Sequence, residues 1–183
     1  TFNLGNTTMD YPDLSVGDGV FKSTDAGKTW THLSGLRDAQ QIPNIAVDPK
    51  NANRLFVAAF GHPYGPSKDR GIYRSLDGGQ TFTAVLQKDE NVGGNDVDID
   101  PSDPNIVYAT MWEERQGPWE DAQYRGTGGG IFKSTDGGTT WTQLKTACRT
   151  TATSRRRTWR SRRAIRSAST RPWDQVAARL SIC

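Results

Sequence analysis

The chain has 183 residues, 34% of them hydrophobic, which is enough for one domain with a core or for two small ones, and no stretch approaches the ~18 consecutive apolar residues of a membrane helix. Its formal charge of +3 is unevenly spread: residues 1–145 carry 13 Lys+Arg against 19 Asp+Glu, while residues 146–183 carry ten Arg against Asp174 alone. The two cysteines, Cys148 and Cys183, also fall in that last segment, which excludes a disulfide-stapled or cysteine-metal scaffold and leaves the redox compartment open.

The opening stretch TFNLGNTTMDYPD has neither an initiator Met nor the basic-then-apolar order of a signal peptide, as expected for an internal or processed piece of a longer protein. Beyond it, 19 Gly and 9 Pro are dispersed among short apolar runs, the pattern of many strands joined by tight turns. The first clear element, GVFKSTDAGKTWTHL at 19–33, recurs as GIYRSLDGGQTFTAV at 71–85 and GIFKSTDGGTTWTQL at 130–144. Ser23 and Ser75 are 52 residues apart, and Ser75 and Ser134 are 59 apart, the length of one four-stranded sheet with its loops.

A second repeated element fills the gaps. IAVDPKNANRLFVAAF (45–60) aligns with VDIDPSDPNIVYATMW (97–112), each a strand, an Asp-Pro turn and a second strand. One unit is therefore a four-stranded antiparallel meander, with A at IAV or VDI, B at RLFVAA or IVYATM, C at GIYRS or GIFKS, and D at TFTAVL or WTQL. Residues 1–33 supply the C and D strands of a first unit, 44–86 a whole unit and 96–145 another, so the expected fold is all-β: about two and a half blades of a β-propeller. Propellers close with about 4–8 blades, so the missing blades of the parent are the first expected partner, and the open edges are an aggregation hazard.

Past Leu144 the template calls for another A strand and Asp-Pro turn, and neither is present. The segment 146–183 is Arg-, Ser-, Thr- and Ala-rich without alternation, the composition of a disordered tail, and its abrupt onset is also what a shifted reading frame produces. A third reading is polyanion binding, with Trp159 and Trp173 as stacking groups; no nucleic-acid motif accompanies it.

Each 15-residue block contains Ser-x-Asp-x-Gly-x-Thr-aromatic: Ser23, Asp25, Gly27 and Trp30; Ser75, Asp77, Gly79 and Phe82; Ser134, Asp136, Gly138 and Trp141. The carboxylate can accept backbone N–H groups of its own turn, the glycine can take a positive φ, and the ring can pack back between sheets. On these residues the sequence resembles the Asp-box, or bacterial neuraminidase repeat, family. The spacing and the paired Asp-Pro turns are most similar to the sortilin-type and xyloglucanase-type propellers over residues 1–145. The resemblance implies a structural role for the three aspartates and an exported, secreted or periplasmic, bacterial parent. The arginine triad and nucleophilic tyrosine of true sialidases have no counterpart here, and neither catalytic aspartate of the xyloglucanase type falls on a matching motif, so catalytic residues stay unassigned.

Strand alternation places the A-B and C-D turns on one face, and the B-C and D-A loops on the other. The loops at 61–70, 87–96 and 113–129 are therefore the expected place for a peptide or glycan ligand. The long loop offers Glu113, Glu114, Glu120 and Asp121 beside Trp119 and Tyr124, a mixture that suits sugar stacking and carboxylate chemistry, against the plainer reading of a packed and solvated loop. His62 and Tyr64 join the candidates, with surface packing as the plainer reading of His62. Asp89, Glu90, Asn95 and Asp96 present oxygen ligands for a hard cation but lack EF-hand order, so no metal and no cofactor is expected. Two functions stand side by side: a binding propeller that recognises a peptide or glycan, and a glycoside hydrolase of the xyloglucanase type whose carboxylates lie partly outside this stretch.

Overall fold

A computed structural model of the chain describes residues 17–62, 65–113 and 126–145. The readings of the segment 146–183 lie outside these residues. Among the described residues the chain is all-β, with three antiparallel sheets and a single 3-10 turn at Arg37–Ala39.

The first sheet pairs β1 (Phe21–Lys22) with β2 (Thr31–His32). The second runs in the order β3 (Asn44–Val47), β4 (Leu55–Ala59), β5 (Gly71–Ser75), β6 (Thr83–Leu86). The third repeats it with β7 (Val92–Ile99), β8 (Val107–Glu113), β9 (Gly130–Ser134) and β10 (Thr142–Gln143). Each whole sheet is a meander of neighbouring strands, because short turns join them and antiparallel pairing needs no crossover. We refer to the three sheets as blades 1, 2 and 3.

Two expectations are corrected at the strand ends. The stretch 87–96 is a loop only to Asn91, since β7 starts at Val92 and Gly93 and Gly94 pair with Trp112 and Met111. The glycines are there for clearance rather than for a turn: a Cβ on Gly93 would lie 2.8 Å from the Phe60 carbonyl oxygen, and one on Gly94 2.4 Å from that of Gly71. Blade 3 thus approaches the backbone of blade 2 too closely for any side chain. The register shifts between Gly94 and Asp96, leaving Asn95 as the extra residue of a bulge. At the other end of the pair, Glu113 closes β8 rather than opening a loop.

Packing follows the period-2 geometry of strands. In β4 all five residues are buried because both faces of blade 2 are covered. Leu55 and Val57 join Val20, with Leu33, Leu36 and Phe82 around them, on the blade 1 side. Phe56 and Ala58 join Val97, Val107, Ala109, Met111 and Phe132 on the blade 3 side. Strand β8 instead alternates, with Val107, Ala109 and Met111 buried toward blade 2 and Trp112 exposed.

Blade 1 shows the opposite gap. Ile45 is 41% exposed, whereas Val97, its counterpart one repeat later, is 1% exposed. Val97 has a neighbouring four-stranded blade against it; Ile45 faces the two-stranded first sheet.

Candidate functional site

The turn face consists of one motif built three times. In each, the Ser hydroxyl donates to the Asp carboxylate at 2.7–2.8 Å and accepts the Gly amide at 2.8–2.9 Å. The Thr amide donates to Asp Oδ1 at 2.8–2.9 Å and the Thr hydroxyl to Oδ2 at 2.6 Å. Gly27, Gly79 and Gly138 carry φ of 85°, 94° and 83°, the left-handed region that favours glycine. Phe82 and Trp141 pack against the two cores, while Trp30 is 63% exposed. With both oxygens of each carboxylate already accepting, Asp25, Asp77 and Asp136 are turn-forming groups on separate blades, not a converging set.

These bonds favour the ionised carboxylates, led by the Thr hydroxyls: the Asp25 carboxyl is lowered from 3.8 to about 2, and those of Asp77 and Asp136 fall further. A depressed folded value stabilises the fold above the unfolded value and is lost as pH falls toward the folded one. We therefore expect circular dichroism to show an intact β signal at pH 5 and a progressive loss of stability from about pH 4 down to pH 2. A midpoint of stability loss at pH 5 or above would mean that these turns do not govern acid unfolding.

The turns also lock blade to blade, always forward along the chain. Lys22 donates to the Gly78 carbonyl at 2.9 Å, and Arg74, at the same repeat position, donates to the Gly137 carbonyl at 2.8 Å. Lys50 and Arg54 of blade 2 donate to the Ser102 and Pro104 carbonyls of blade 3, both at 2.7 Å.

On the opposite face a cleft of about 410 Å³ opens between the β2–β3 and β4–β5 loops. It is lined by Asp38, Gln40, His62, Pro66, Ser67, Lys68 and Asp69. The β2–β3 wall is held in an unusual backbone: Leu36 and Gln40 carry φ of 60° and 45°. Backbone bonds pin it, from the Gly17 amide to the Gln40 carbonyl and from the Phe60 amide to the Gln41 carbonyl, both 2.8 Å. Two carboxylates, a carboxamide, an imidazole, a hydroxyl and an ammonium group give this cleft donors and acceptors in one place.

Of the sequence candidates, His62 lines the cleft and is half-buried. Glu113 is not among the described lining residues: its Oε2 accepts the Gly128 amide at 2.8 Å, while Lys88 donates to the Gly128 carbonyl at 2.7 Å. That pair clamps the neck of the long loop. Tyr64, Glu114, Trp119, Glu120, Asp121 and Tyr124 lie outside the described residues. The cation set does not converge, since Asp89 accepts the Asn91 amide at 2.7 Å and Asp96 accepts the Asn44 carboxamide of blade 2. Among the described residues no group of three or more His, Cys, Asp and Glu is placed to hold a metal ion. Sequence reasoning placed Lys68 and Asp69 in the 61–70 loop without singling them out, and it passed over Asp38 and Gln40. The β2–β3 loop breaks the repeat between strands D and A, and that position was the signal available.

Repeated meanders packed face to face, with neighbouring blades tied turn to turn, define a piece of a β-propeller. The sequence profile of the Sortilin-Vps10 family, described as sortilin, neurotensin receptor 3, matches residues 18–175. The chain belongs to that family, and the match runs past the 1–145 limit of the repeat pattern into the Arg-rich segment.

Among curated relatives, a probable oligoxyloglucan-reducing end-specific xyloglucanase of Neosartorya fischeri is 32% identical over 52% of this chain and 12% of its own length. Xyloglucanase Xgh74A of Acetivibrio thermocellus is 26% identical over 79% of this chain and 17% of its own. A sialidase of Bacteroides fragilis is 28% identical over 74% and 30%. The chain thus spans between about a tenth and a third of these relatives.

Among solved structures, an ancestral GH74 enzyme gives a TM-score of 0.52 at 22% identity, covering 72% of this chain and 16% of that one. The GH74 xyloglucanase of Xanthomonas campestris gives 0.50 at 20%, covering 72% and 18%. At these identities the likeness is one of fold.

Proposed function

We propose that these blades form part of the polysaccharide-binding face of a glycoside hydrolase of the xyloglucanase type, with the carboxylates of the reaction contributed partly from outside this stretch. The observation that carries the reading is the cleft bounded by Asp38, Gln40, His62, Lys68 and Asp69 on the loop face. Carboxylates and a carboxamide suit the paired hydroxyls of a sugar ring, and the relatives named xyloglucanases support that ligand class. An extracellular polysaccharide would place the working protein outside the cytoplasm.

The test is affinity electrophoresis of the chain in gels containing xyloglucan. We expect retardation that Asp69→Asn and Lys68→Ala each weaken by about tenfold, the scale of losing a hydrogen bond to a charged group. Migration unchanged by xyloglucan sinks the proposal. The family description names a neurotensin receptor, so a peptide is the second ligand class. Binding of an extended peptide that Asp69→Asn weakens, with no response to xyloglucan, would favour it.

A further inference from the structure

The side chain of Arg70 is not part of the cleft lining, yet it is the most voluminous fully buried side chain among the described residues, 1% exposed, and it sits where the β4–β5 loop returns to the sheet. A buried cation is costly unless its donors are met. Loop carbonyls meet its two terminal nitrogens. One Nη donates to the Asn91 carbonyl at 2.8 Å, and the other to those of His62 at 2.8 Å and Gly65 at 3.2 Å, while the guanidinium lies 4.9 Å from the Phe60 ring centroid. Gly61, at φ 77°, leaves room for it: a Cβ there would lie 2.7 Å from Arg70 Cγ.

These contacts join two loops. The His62 and Gly65 carbonyls belong to the loop that walls the cleft, and Asn91 belongs to the β6–β7 connection. The same two loops meet again where the Ser67 amide donates to the Glu90 carbonyl at 2.8 Å. Gln87 adds a third tie, donating to the Lys68 and Arg70 carbonyls at 3.1 and 3.0 Å. The Ser67 and Gln87 bonds fix backbone at or beside Lys68 and Asp69, and the Arg70 bonds anchor the same loop at His62 and Gly65 and tie it to Asn91.

We infer that Arg70 is a positioning residue for the loop face: its planar fork sets the shape of the segment 65–69 and so the geometry in which Lys68 and Asp69 meet a ligand, an inference that rests for its ligand on the polysaccharide reading above. A planar guanidinium reaches three carbonyls in two loops at once; an ammonium group at that position keeps the charge and loses the fork.

The experiment compares the full chain with Arg70→Lys and the milder Gln87→Ala by hydrogen exchange and by affinity for xyloglucan. Amide exchange within 65–70 should accelerate about tenfold in Arg70→Lys and less in Gln87→Ala, with strands β4 and β8 unchanged and xyloglucan affinity weakened in the same order. Unchanged exchange in 65–70, or a uniform acceleration across both whole sheets, overturns the positioning role. If the unaltered chain ignores xyloglucan while exchange in 65–70 still responds, the loop role stands and the polysaccharide reading falls. Should Arg70→Lys fail to fold, Gln87→Ala decides by the same local readout.

Discussion

Phe56→Ala should lower the unfolding free energy by about 3–5 kcal/mol, the cost of emptying a large aromatic site in a packed core. The ring is fully buried on β4 and belongs to the cluster that joins blade 2 to Val97, Val107, Ala109, Met111 and Phe132 of blade 3. It also floors the third turn, since a Cβ on Gly138 would come within 2.4 Å of it. Small domains hold about 5–15 kcal/mol in total, so one substitution removes a large share. Urea titration followed by tryptophan fluorescence should show a much lower midpoint at unchanged slope. Tyr108→Ala, at the equivalent position of blade 3, is the control: its ring lies under the Lys133 ammonium group, 5.2 Å away, with no further blade against it among the described residues. A Phe56→Ala cost no larger than that of Tyr108→Ala would mean that the two blades do not share a core.

Arg54→Met should cost about 2 kcal/mol, below the ~3–5 kcal/mol of breaking a deep ion pair because this turn lies near the molecular surface. Burial alone would raise the Asp48 carboxyl, but the Lys50 amide and the Arg54 guanidinium outweigh it and hold it below its ordinary value. The pair is close, with Arg54 Nη2 and Nε at 2.7 and 2.8 Å from Asp48 Oδ2, and the Asp48 side chain is 4% exposed. Removing Arg54 therefore strands a carboxylate and also breaks the bond to the Pro104 carbonyl in the next blade. Asp48→Asn combined with Arg54→Met should cost less than the two single substitutions added together, as measured by a double-mutant cycle in urea. Simple additivity would show that the pair contributes nothing beyond its separate contacts.

The repeat made the blades readable. Three copies of one turn and two copies of the A-B hairpin put the strands in order, and β5 and β9 fall on GIYRS and GIFKS without adjustment. Strand alternation then gave the two faces, because neighbouring antiparallel strands must reverse direction. What the residues could not show was which of them would be near a different blade. Gly93 and Gly94 look like a turn in isolation and become strand because another backbone lies against them. Trp30 and Trp141 occupy the same repeat position, yet one is 63% exposed and the other packs on the core, a difference set by the neighbouring sheet.

The candidate site was legible only in outline. Its face, and His62 on it, follow from the meander, since loops between B and C must emerge at one end of the sheet. The cleft itself needed tertiary structure: Asp38 and Gln40 stand some thirty residues before Lys68 and Asp69, and a long-range backbone contact brings the two loops together. Glu113 shows the converse, a carboxylate that looked available and is committed to the Gly128 amide. Sequence alone determined the turns, because Ser, Asp, Gly and Thr satisfy one another within a few residues. Only the tertiary structure decided which glycines are clearances, which aromatics are core and which carboxylates face solvent, because each depends on what the adjoining blade or loop places against them.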